Sequence, residues 1–139
     1  MLWNDEPLRS VVLALSLESL RPTSSGLVPF YMLPALGGVR TLPSFRSDRF
    51  RDRDALLGVL EYRYRVWSEP DDRVWVDAVV FTDAGIVAPR VFDAVATVRV
   101  HESTGLAIAV VGHGAAVGRI AVSKGADGIG VTFAMSRGF

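Results

Sequence analysis

Large apolar side chains recur at every second position through much of this chain, with small or charged residues between them, and helical spacing is hard to find. Successive side chains of a β-strand point to opposite faces, so alternation of this period predicts strands. Six are expected. The first spans about Arg9 to Glu18, with Val11, Leu13, Leu15 and Leu17 on one face and Ser10, Ala14, Ser16 and Glu18 making up most of the other. The second, about Ala55 to Trp67, gathers Leu56, Leu60, Tyr62, Tyr64 and Val66 against Glu61, Arg63 and Arg65. A third covers Val74 to Ala84 and sets Val74, Val76, Ala78 and Val80 opposite Asp77, Phe81 and Asp83. The fourth is expected at about Phe92 to His101, where Ala94, Ala96, Val98 and Val100 alternate with Thr97, Arg99 and His101. The fifth falls between Leu106 and Ser123, and its glycines at 112, 114 and 118 mark a bend or a bulge. The last, Ile129 to Phe139, sets Ile129, Val131, Phe133, Met135 and Phe139 against Gly130, Thr132, Ala134, Ser136 and Gly138; only Arg137 breaks the pattern.

Most of the turns between these strands are short, but the connection from about Ser19 to Asp54 is not. It carries four of the seven prolines, the Gly37-Gly38 pair and an arginine-rich tract, and no strand of its own is read there. A connection of that length is usually functional or disordered.

Alternation does not say which face meets which solvent. A soluble sandwich or barrel turns its apolar stripe inward and its polar stripe to bulk water; a transmembrane β-barrel does the reverse. Strands of about ten residues match the ~9 to 11 that cross a bilayer when tilted. Tyr62, Tyr64 and Trp67 gather toward one end of their strand, as interface anchors do. No run reaches the ~18 apolar residues of a spanning helix: "SVVLALSLESL" and "GLAIAVVGHGAAVG" are cut by Ser, Glu, His and Gly.

From about Leu36 to Phe139 the ordered pieces "LGGVRTLPSF", "DRFRDRDALL", "LEYRYRVW", "VVFTDAG", "VAPR", "VRVHEST" and "RIAVSKGADGIGVTFAMSRGF" are similar to the C-terminal part of the outer-membrane assembly and translocation barrels of the BamA/TamA type, the bacterial surface antigen family. The resemblance implies an all-β fold: about six C-terminal strands of a larger antiparallel transmembrane barrel, with one long loop folded into the lumen. It implies a bacterial outer-membrane location and a role in inserting or translocating outer-membrane proteins. Outer-membrane lipid, and other barrel chains or assembly-machinery proteins, are the implied partners. The family's loop carries an aliphatic-Arg-Gly-aromatic motif whose arginine is tied to acids on the barrel wall. Here Leu42, Pro43, Ser44 and Phe45 stand at those positions, so the ends match while the arginine and glycine are absent. Arg40, Arg46 or Arg49 is then the candidate replacement, and Glu61, Arg63, Arg65, Asp77, Asp83 and Arg99 are expected to face the lumen, either latching the loop or solvating a channel wall. Val131, Phe133, Met135 and Phe139 resemble the family's C-terminal insertion signal, with Arg137 as the departure.

Six strands are fewer than the eight or more of known single-chain barrels. The expectation is a fragment spanning residues 1 to 139 of a longer barrel, or a piece that completes its barrel with other chains. Two other readings stay open: a soluble antiparallel β-domain binding an apolar ligand or a protein, and a barrel anchoring a larger multidomain protein.

The remaining composition removes other chemistries. Fifteen basic and fifteen acidic residues balance, so no global field favours nucleic acid, and the "RSDRFRDRD" tract nearly cancels its own charge. With no cysteine and only His101 and His113 as histidines, neither disulfides nor a metal site is expected. "GHGAAVGR" lacks the Gly-Lys-Ser/Thr ending of a phosphate loop, and no serine sits in a Gly-x-Ser-x-Gly elbow. No enzyme, cofactor or small-molecule substrate is expected.

Overall fold

The computed structural model describes residues 9–21, 28–94, 98–112 and 116–137. Its main body is a six-stranded antiparallel sheet made of β1 (Arg9–Ser19), β4 (Asp54–Ser68), β5 (Val74–Ala88), β6 (His101–Gly112), β7 (Ala116–Gly125) and β8 (Gly128–Arg137). Each of these strands pairs with the next in that order, so the sheet is a meander with β1 and β8 as open edges rather than a closed barrel. Between β1 and β4 the chain makes a short 3-10 turn, Phe30–Met32, and a two-residue hairpin of β2 (Ala35–Leu36) and β3 (Phe50–Arg51). The long connection thus does contain strands, contrary to the sequence reading.

The register keeps every alternating stripe on one face. Glu61 lies opposite Phe81, which lies opposite Gly105, which lies opposite Ser123. Tyr62 continues on the other face into Val80, Leu106, Val122 and Val131. A bulge between Arg65 and Trp67 ends the strict alternation of β4.

Two of the expected strands are corrected. Among the described residues from 92 to 101 only His101 lies in a strand, as the first residue of β6: Pro89 follows the end of β5, and Val91–Ala94 make one helical turn, α1. Val91 is fully buried there and, with Val98, covers Ile86, Ala88 and Leu56 at the strand ends. Of the apolar residues whose alternation suggested a strand, Val98 packs in this cap and Val100 is exposed, while Ala96 lies outside the described residues. The stretch read as one bent fifth strand is two, β6 and β7; Gly112 ends β6, Gly118 lies within β7, and Gly114 is outside the described residues.

The same cap is secured by Asp54. Its carboxylate takes both prongs of the Arg21 guanidinium, at 2.6 and 2.9 Å, the Ser19 hydroxyl at 2.8 Å and the Val91 N–H at 3.1 Å. Asp54 is the first residue of β4, beyond the exposed part of the sheet. The Arg21 hydrogen bonds hold its carboxyl well below the usual carboxylate range, against the opposing effect of burial and with help from Val91 and Ser19.

Candidate functional site

The two faces of the sheet have opposite fates. One carries Leu13, Leu60, Tyr62, Leu106, Ile120, Val131 and Phe133, all exposed; Leu13 is 71 % and Val131 72 % open. The other carries glycine, alanine, serine and ionic residues together with the apolar Leu57, Val59, Val79 and Phe81, and the 35–50 segment lies across it.

That segment is tightly knit. Gly37 and Gly38 take φ of 121° and 92°, a region closed to most side chains. The Gly38 N–H donates to the carbonyls of both Leu42 and Phe45 at 3.1 Å, and the Gly37 N–H donates to the Thr41 hydroxyl at 2.8 Å. The resulting knob presents Leu36, Leu42 and Phe45 to Ala55 and Leu57 on β4, and Leu42 is 0 % exposed. All four motif positions, Leu42, Pro43, Ser44 and Phe45, are buried.

The sheet is shaped to receive the knob. A Cβ on Gly130 would stand 2.5 Å from the Pro43 carbonyl oxygen, one on Gly125 would collide with the Ser44 hydroxyl, and one on Gly85 would stand 2.7 Å from Leu36. The Ser44 N–H donates to the Ser103 hydroxyl at 3.3 Å. At the margin, Arg49 pairs with Asp127 at 2.7 Å, and Phe50 stacks on His101 with ring centroids 3.6 Å apart.

Beside the knob lies the ionic cluster. Glu61, 6 % exposed, accepts two hydrogen bonds from Arg63 on its own strand, at 2.9 and 2.6 Å, and one from Arg119 on β7 at 2.5 Å. A flat sheet would hold strands three steps apart at ~14 Å. Closing that gap requires the face to be concave, and the small residues Gly105, Ala107 and Ala109 of β6 leave room for the Arg119 side chain, whose guanidinium lies 4.9 Å over the Phe81 ring. Asp83, also 6 % exposed, has an Oδ1 with no hydrogen-bond partner. Asp83, Glu61, Arg119 and Phe81 line a cavity of about 150 Å³ that is roofed by Val39, Arg40, Thr41 and Pro43.

The expected lumenal charges are thus divided. Glu61, Arg63 and Asp83 come together, and Arg40 borders their cavity from the loop side. Arg49 is engaged by Asp127 instead, and Arg46 is exposed. Arg65 faces inward over Trp75 at 4.6 Å and meets Asp72 at 3.8 Å, while Asp77 is buried opposite it in register. Arg99 is corrected: it is exposed in the irregular segment before β6, not on a strand wall. Val131, Phe133 and Met135 lie together on the exposed face, and Phe139 is outside the described residues. Arg119 was the residue missed, although its place in the Arg119, Ala121, Ser123 stripe marks the inner face once β7 is delimited.

No family model, curated protein or solved structure matches this chain. Among the described residues no helix is long and apolar enough to cross a membrane, which leaves spanning by strands untouched.

Proposed function

We propose that this chain is the C-terminal part of an outer-membrane β-barrel of the surface-antigen type, its loop filling the lumen. Its role on this reading is the insertion or translocation of outer-membrane proteins, exercised through the plugged lumen and an accessible sheet edge, with no chemical step. The observation that carries the reading is the direction of polarity: the sheet leaves its aliphatic face bare and buries Glu61 and Asp83. An antiparallel sheet in water packs its apolar face on a core and solvates the polar one.

The form of the bare face adds support. Traced through cross-strand partners, Ile129, Val131 and Phe133 on β8 lead to Leu13, Val11 and Arg9 on β1. The exposed apolar run on β1, however, is Val11 to Leu17. The band therefore slants across the strands, as a level hydrocarbon slab does across tilted ones. Tyr62, Tyr64 and Trp67 lie exposed toward one end of it.

The test is expression behind an export signal. The expected product sediments with the outer membrane, resists alkaline extraction and migrates differently in detergent gels before and after heating. Recovery as a soluble periplasmic monomer overturns the proposal.

A further inference from the structure

The bare face of the sheet changes chemistry at one registered row. On β5, β6 and β7 the aliphatic stripe runs up to Val80, Leu106 and Val122, which lie side by side and exposed. The next row on the same face is Thr82, Thr104 and Lys124, with the two threonine hydroxyls sharing a hydrogen bond at 3.0 Å. Farther along this face, Leu56, Ile86 and Ala88 are apolar again but no longer bare, because Val91 and Val98 pack on them. The chain thus shields its apolar surface on one side of the threonine row and leaves it open on the other. On the membrane reading above, that row is the border of the hydrocarbon. Two residues along a strand span ~7 Å, and the polar layer of a bilayer is ~5 to 8 Å deep on each side. Thr104 and Lys124, one row beyond Leu106 and Val122, then stand at headgroup depth.

An open groove of about 500 Å³ lies at that level, lined by Arg99, Glu102, Thr104, Lys124 and Gly125. Arg99 and Lys124 are exposed, and among the described residues neither forms an ion pair, with Glu102 or with any other carboxylate. Two cations against one carboxylate leave the groove positive. We infer that it binds the headgroup of an anionic phospholipid, the phosphate held by Arg99 and Lys124 and the acyl chains laid on Leu106 and Val122. This rests on the membrane reading and adds to it a lipid preference and the place where it is exercised. Guanidinium and ammonium groups give charge-assisted hydrogen bonds to phosphate oxygens, and Glu102 is placed to accept from the hydroxyls of a glycerol headgroup. A choline headgroup brings its own cation and no hydroxyl, so it gains less from the same wall. The aliphatic row directly below supplies what a free phosphate could not use, a continuous surface for the tails of the same molecule.

The test uses the full chain, expressed behind an export signal, extracted in non-ionic detergent and stripped of lipid. Dioleoyl phosphatidylglycerol, dioleoyl phosphatidylcholine or inorganic phosphate is then added, and the bound molecules are counted by native mass spectrometry. Each basic side chain near an anionic lipid surface contributes about five-fold in binding. With Glu102 opposing, phosphatidylglycerol should be held roughly ten-fold more tightly than phosphatidylcholine. Arg99→Gln combined with Lys124→Gln should abolish that preference, while Arg46→Gln, an exposed cation on the knob, should leave it unchanged. Heat-modifiable migration of every variant shows that these surface changes leave the protein folded. A membrane-extracted protein that holds both lipids equally, a preference that survives the double change, or inorganic phosphate bound as tightly as phosphatidylglycerol overturns the headgroup site and leaves the barrel reading standing. A product soluble without detergent overturns both.

Discussion

Replacing Arg119 by Met isolates the electrostatic part of the inner face. The substitution keeps most of the side-chain volume and removes the donor to Glu61 Oε1 together with the cation over Phe81. Arg63 would remain on Oε2, with Asp83, whose Oδ1 has no hydrogen-bond partner, beside the same cavity. Breaking a fully buried pair costs about 3–5 kcal/mol. Here the carboxylate side chain is 8 % exposed but the Arg119 side chain is 28 % exposed, and one guanidinium stays in place. The expected loss is therefore nearer that of one hydrogen bond to a charged group, about 2 kcal/mol. The assay is urea unfolding of detergent-folded protein followed by tryptophan fluorescence, run as a cycle with Glu61→Gln and the double variant. Coupling of about 1 kcal/mol or more between the two positions is expected. If Arg119→Met unfolds within about 0.5 kcal/mol of the parent and the two changes simply add, the cluster is a solvated wall and its apparent pairing carries no energy.

Three other perturbations probe the remaining parts. Leu106→Arg on the bare face should cost about 2–4 kcal/mol if hydrocarbon covers it, and within about 0.5 kcal/mol if water does; folding yield into vesicles against yield in denaturant-free buffer separates the two. Gly130→Val should drive the knob off the sheet at a cost of about 1–3 kcal/mol, read as new trypsin cleavage at Arg46 and Arg49. Asp54 supplies a pH dependence. A carboxyl whose folded-state pKa is lowered contributes stability that is complete above its unfolded value, ~4, and is lost as pH falls toward the folded value. Between about pH 5 and about pH 3 the parent should lose more stability than Asp54→Asn, and equal slopes would show that the Arg21 pair contributes nothing.

Period-two patterning is a local signal, and it made the all-β fold and the faces of β1, β4, β5 and β8 readable; the count of six agrees with the main sheet only because one expected strand is missing and another is two. It misled where apolar residues serve something other than a strand face. Val98 belonged to an alternating stretch yet packs beside Val91 in the cap of the sheet end, and only the folded chain shows what it covers. Contacts between distant segments left no local trace either. Nothing near Gly125 and Gly130 in the sequence announces that Ser44, more than eighty residues earlier, lies on top. Arg119 and Glu61 are separated by fifty-eight positions and by two intervening strands, so their meeting depends on the curl of the sheet.

These two kinds of distant contact differ in what holds them. The resemblance read in the sequence led to the expectation of a loop arginine tied to the wall, and Pro43 stands at that position. The arginine that closes on Glu61 comes from the wall itself, from β7, so the ion pair braces the sheet across its own concavity. The loop is held mainly by shape, with one ion pair at its margin from Arg49 to Asp127: glycines on the sheet face the knob's backbone and its Ser44 hydroxyl, and Leu42 is fully buried. Charge and shape should then fail separately. Arg119→Met is expected to weaken the sheet while the docked knob still resists trypsin at Arg46 and Arg49, and Gly130→Val to unfold the knob and allow cleavage there while the Glu61–Arg119 coupling persists in the same cycle. If loss of the ion pair alone released the knob, loop and wall would share one lock, and the division into an electrostatic brace and a steric dock would be wrong.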